Sequence, residues 1–146
     1  MNIRRWAARV VAMGSMLIVT AGSAGEMKWK GYRRDAEEEL KEKLEQGNSR
    51  CGTKVKGRIE WADFKDEAIF NRSVSGYCGA FDAMDIMCWK EDAKAAIAEQ
   101  VKEVVCRYGG KGKKSVSLKK GILTVFIDFE GSNTALFVQQ YLEKVL

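Results

Sequence analysis

Histidine and proline are both missing from this chain of 146 residues. Without imidazole there is no Ser-His-Asp or Cys-His catalysis, no His-ligated zinc and no imidazole switch near neutral pH. Without proline there is no Pro-rich linker, and no segment repeats. Long apolar runs are scarce too. The run at residues 10–19 is broken by Gly14 and Ser15 and falls short of the ~20 apolar residues that span a bilayer. No later stretch is apolar enough to cross.

Acidic residues are absent from the first 24 positions, which carry Arg4, Arg5 and Arg9. A basic start, a short apolar run and the small residues Thr20, Ala21, Gly22, Ser23 and Ala24 together predict a removable export signal. Cleavage is expected after Ala24, so that the mature chain begins at Gly25 in the periplasm or outside the cell. No cysteine lies near the cut to carry a lipid. Ala7 and Ala8 stand where a twin-arginine signal wants an aromatic residue and a leucine, so the general secretory route is expected.

Excess charge vanishes once the leader is set aside. The formal net charge is +5, but three of the 25 basic residues lie in the leader, leaving 22 basic against 20 acidic side chains, a net of +2. Specific nucleic-acid binding is not expected, since such domains are strongly basic. What remains fits one domain, residues 35–146, preceded by a flexible lead-in at 25–34.

Cysteine is sparse but even in number: Cys51, Cys78, Cys88 and Cys106. In an exported chain this predicts two disulfides. The spacing lacks the short Cys pairs of a structural zinc site, so no metal and no cofactor are expected. Of three connectivities, Cys78–Cys106 with Cys51–Cys88 is preferred. It follows if residues 79–88 and 91–106 fold back as a helical hairpin, with Cys78 and Cys106 at its open end and Cys88 near its turn.

Hydrophobic spacing sketches the rest. Asp35 to about Gln46 predicts a surface helix with a thin stripe of Ala36, Leu40 and Leu44, ended by Gly47 and supported by Glu37–Lys41 and Glu39–Lys43 pairs. Residues 53–61 alternate strictly, with Val55, Gly57, Ile59 and Trp61 on one face and Lys54, Lys56, Arg58 and Glu60 on the other: a half-buried strand. Residues 63–77 read two ways, with Ala68, Ile69 and Phe70 opening a strand and residues 73–76 forming a turn. Residues 79–88 have helical spacing, and Ala93, Ile97, Val101, Val104 and Val105 predict a second helix from Glu91 to Cys106. Lys119-Lys120-Gly121 predicts a hairpin between strands 115–118 and 122–129, the latter covered on both faces. A last helix, capped by Ser132 or Asn133, turns Phe137, Val138, Tyr141, Leu142 and Val145 inward. The fold class is α+β: a small, mainly antiparallel sheet packed with about four helices and held by two disulfides.

Three features bear on chemistry. Arg107, Lys111, Lys113, Lys114, Lys119 and Lys120 carry six positive charges with no acid between them, and form the candidate contact for an anionic envelope surface or an acidic protein. The same glycine-rich stretch fails the phosphate-loop pattern, because Arg107 occupies the first glycine position. The carboxylate pairs Asp82/Asp85 and Asp128/Glu130, and Glu60 near Asp63, are the candidates for a glycosidase-like site, although in a chain with 20 acids such pairs arise by chance and a solvated face is the preferred account. Trp89 is expected to be partly exposed, while Asn71-Arg72-Ser73 matches a glycosylation acceptor. These features favour non-catalytic binding. A small carboxylate-dependent hydrolase of envelope polymers and a secreted inhibitor or immunity-type protein are the alternatives.

Overall fold

The computed structural model describes residues 24–65, 72–131 and 134–146. The expected leader as far as residue 23, the expected strand at 68–70, Asn71 of the acceptor motif and the expected cap at 132–133 lie outside them. Among the described residues the order is α1 (Ala24–Cys51), β1 (Lys56–Ile59), a 3₁₀ turn (Trp61–Asp63), α2 (Val74–Cys78), α3 (Ala80–Met87), α4 (Glu91–Gln100), β2 (Glu103–Tyr108), β3 (Ser115–Lys119), β4 (Ile122–Ile127) and α5 (Thr134–Val145). The class is α+β, with five helices rather than about four among these residues.

Helix α1 is longer at both ends than its stripe suggests. Residues 25–34, expected as a flexible lead-in, are helical. Trp29 and Tyr32 hold that segment down by packing on Trp61, with ring centroids 5.6 and 5.9 Å away. Gly47 does not end the helix; it is buried against Phe81 of α3, and Gly52, at φ 63°, follows the true end. The expected i,i+4 pairs give way to tertiary partners. Glu37 accepts from Trp61 Nε1 at 2.7 Å, and Lys43 donates to both Asp82 carboxylate oxygens at 2.9 and 3.0 Å.

The helix expected from Glu91 to Cys106 stops at Gln100, and Glu103–Tyr108 is a strand. Val101, Val104 and Val105 fit a helical stripe and a short buried strand equally well, and their β-branches suit the strand. This one change alters the sheet. Its order is β1-β2-β4-β3; β1–β2 and β2–β4 are parallel and only β3–β4 is antiparallel. The sheet is therefore mixed, not mainly antiparallel. A helical crossover returns the chain to the end of the sheet where β1 began, and that makes β2 parallel to it.

The helices cover one face. Val104, Cys106, Leu123, Val125 and Ile127 on that face are all fully buried. Gly57 makes room there, since a Cβ on it would lie 2.8 Å from Phe81 Cζ. The other face carries Lys56, Arg58, Glu103, Arg107, Ser117, Lys119, Ile122, Thr124 and Phe126. β4 is thus not covered on both faces: Ile122 is 38 % exposed, and Thr124 and Phe126 are half-buried.

Both disulfides have the preferred pairing, Cys51–Cys88 and Cys78–Cys106. The helical hairpin that suggested it is absent, because Cys106 lies in β2. The second bridge instead ties α2 to the middle of the sheet, and the first ties the end of α1 to the end of α3.

Candidate functional site

The six basic residues at 107–120 do not form one patch. Arg107 points from β2 across the open sheet face, where its guanidinium bonds Asp63 at 2.8 and 3.1 Å and lies 5.0 Å from the Phe126 ring. Lys111, Lys113 and Lys114 sit in the β2–β3 loop. There Lys111 pairs with Glu130 at 3.5 Å, and Lys114 lies 5.1 Å from the Phe137 ring. Lys119 and Lys120 are at the opposite end of β3, about 16 Å from Lys114 along the strand. The structure brings three of the six together and separates the others.

The open sheet face is an ion lattice. Arg58 bonds Glu60 and Glu103, each at 2.8 Å, beside the Arg107–Asp63 pair. Val105 lies among them at only 3 % exposure although no helix covers it among the described residues. Arg58 is its register partner and Arg107 the next residue on the same face, and long basic side chains can cover apolar surface with their stems while their charged heads stay wet. The Arg107 guanidinium holds the Asp63 carboxyl below the usual carboxylate range, chiefly through its hydrogen bonds. Arg58 is raised above the ordinary arginine value by its bonds to Glu60 and Glu103.

The carboxylate pairs are likewise engaged. Asp82 binds Lys43, Asp85 binds Arg50 at 3.2 Å, and Asp128 accepts the backbone N–H of Glu130 at 3.0 Å. Asp82 and Asp85 serve as ties from α3 to α1. Among the described residues no group of three or more Cys, Asp or Glu side chains converges to hold a metal ion. No described helix is long and apolar enough to cross a membrane.

A different surface stands out on the helical side. Ile86, Met87, Ala93, Ala96 and Leu146 line a groove of about 310 Å³ between α3, α4 and α5, rimmed by Lys90, Asp92, Gln139 and Glu143. Ile86 is 49 % exposed, and Trp89, in the short α3–α4 turn beside the groove, is 68 % exposed. Arg50 stacks 4.1 Å from the Trp89 ring while bound to Asp85. Trp89 was legible from its place between two helices and next to Lys90. Ile86 and the C-terminal Leu146 were not, because the α3 spacing assigns no face to Ile86 and the groove needs α5 beside α4.

The fold and its surfaces define a small, doubly disulfide-bonded α+β domain with helices on one face of a mixed four-stranded sheet. No family model, curated protein or solved structure matches the chain.

Proposed function

We propose that the chain is exported, cut after Ala24, and acts in the periplasm or outside the cell by binding a protein partner without catalysis, through the groove between α3, α4 and α5. The observation that carries this reading is the large exposed apolar surface of Trp89 and Ile86 around a groove with a charged rim. Such a surface marks an interaction site, and tryptophan and arginine are among the residues enriched where interface energy is concentrated. Two disulfides support the oxidising compartment. An inhibitor or immunity-type protein is a special case of the same reading.

Contact with an anionic surface has less support, because the basic run is split and Arg107 and Lys111 already hold acids. A carboxylate-dependent hydrolase has less support as well, since Asp82 and Asp85 each hold a cation.

Export is tested by intact mass, with a mature chain beginning at Gly25 expected; recovery with Met1 attached in a membrane fraction would make the leader an anchor. The groove is tested by pull-down from the native envelope. Ile86→Asp and Trp89→Ala change exposed positions and should alter stability by no more than about 0.5–1 kcal/mol, yet lose a protein that wild type retains. The triple change of Lys111, Lys113 and Lys114 to Glu should keep it. If the triple variant loses the partner while the groove variants keep it, or anionic vesicles capture wild type at low salt, the basic loop is the contact instead.

A further inference from the structure

The two edges of the sheet are finished differently. On β3 the Tyr141 hydroxyl accepts the outward N–H of Leu118 at 2.7 Å, which breaks up that edge. On β1 the inward groups belong to Lys56, Arg58 and Glu60: Lys56 N–H donates to Lys102 O at 3.0 Å and Glu60 N–H to Cys106 O at 2.9 Å. Alternation then turns the backbone groups of Val55, Gly57 and Ile59 outward. At Val55 the Asn48 side chain meets both of them: its Oδ1 accepts the Val55 N–H and its Nδ2 donates to Val55 O, each at 2.9 Å. One amide side chain thus imitates a neighbouring strand at the first outward position. Among the described residues the outward groups of Gly57 and Ile59 have no such partner.

These two residues do not face open solvent. They line a groove of about 320 Å³ between α1 and β1, with Leu40 and Leu44 on its apolar side, Lys41 and Arg58 at its margins, and Trp61 and Glu37 at one end. We propose that this groove takes an extended peptide, which adds to β1 as a further strand by pairing with the N–H and C=O groups of Gly57 and Ile59. Main-chain bonds to an exposed edge supply affinity in such strand addition, and alternate side chains supply specificity. One set of peptide side chains would face Leu40 and Leu44 and is apolar. The other would lie on the open sheet face beside Lys56 and is acidic. A second folded copy of this chain does not fit, because α1 walls the groove and admits only a single extended strand. The site is separate from the Trp89 groove and does not depend on it.

The probe is the blocked hexapeptide acetyl-Glu-Val-Glu-Val-Glu-Val-amide, added to the disulfide-bonded, ¹⁵N-labelled protein and followed by amide exchange. Free protein should show fast exchange at Gly57 and Ile59 and slow exchange at Val55, Arg58 and Glu60. The peptide should slow Gly57 and Ile59 by about tenfold or more, while the same peptide N-methylated at alternate amides should bind at least about tenfold more weakly, having lost its ladder bonds. Lys56→Gln, which removes the charge without setting a second acid opposite Glu103, should weaken binding, and Trp89→Ala should leave binding unchanged. Slow exchange at Gly57 and Ile59 in the free protein would overturn the proposal, because the edge would already be closed. So would equal binding of the N-methylated peptide, or no protection at millimolar peptide.

Discussion

Asp63 and Arg107 show how one pair can carry a pH dependence. Asp63 sits in the 3₁₀ turn after β1 and Arg107 on the neighbouring strand, so the pair staples the turn to the sheet. The carboxyl is depressed by Arg107 below its ordinary value of about 3.9. A depressed acid stabilises the fold above its unfolded value, and that contribution is lost as pH falls through the folded value. Asp63→Asn should therefore be less stable than wild type at pH 7 and converge on it as pH falls through the depressed folded value. Urea unfolding from pH 7 to pH 2 checks this; parallel curves would mean that the pair contributes nothing. Tyr32 behaves in the opposite sense. Burial, with Glu39 nearby, pushes its hydroxyl up to about 12, and that hydroxyl donates to Arg72 O at 3.0 Å. Its contribution is complete below the ordinary value of about 10 and lost as pH rises through the folded one. Absorbance titration of the phenols should show a late-ionising component that is lost in Tyr32→Phe.

At the level of elements, the β3–β4 hairpin was the most legible piece. Lys119-Lys120-Gly121 predicts a tight turn, and Lys119 pairs with Ile122 across it. Both central residues have positive φ, 51° at Lys120 and 80° at Gly121. Lysine tolerates this poorly and asparagine well, so Lys120→Asn should raise stability by about 0.5–1 kcal/mol. A thermal melt decides it, and an unchanged or lower midpoint would show that the lysine is not strained. Strand β1 keeps the expected alternation of exposed Lys56 and Arg58 with buried Val55 and Ile59, but it spans only Lys56–Ile59 of the expected 53–61, and Trp61 opens the 3₁₀ turn instead. Strand β2 was not legible. Six residues rich in valine next to a genuine helix extend the helical pattern by chance, and only pairing with β1 and β4 on either side makes the strand the better state. The start of α1 was missed for a related reason. Its stripe is thin before Ala36, and its anchor is Trp61, some thirty residues away in sequence.

For the whole molecule, the disulfides are the main insurance of a modest core. They close loops with separations of 37 and 28 residues, for which chain entropy implies roughly 3–4 kcal/mol each. The loops overlap in sequence, so the two contributions should not add fully. Replacing Cys78 and Cys106 together by Ala should cost more than replacing Cys51 and Cys88, because Cys106 is buried in the middle of the sheet and the change also leaves a cavity. Urea unfolding of the two double variants would show it, and the reverse order would mean that loop closure outweighs packing. The sequence alone determined the α+β class, the two-bridge count, the β1 alternation and the hairpin, because each rests on local period, turn chemistry or cysteine arithmetic. Only the tertiary structure decided that the sheet is mixed, that the basic run is divided between two ends of β3, and that Ile86 and Leu146 share a groove. Those outcomes depend on which distant residues meet, and a residue's nearest neighbours in sequence exert no force that specifies them.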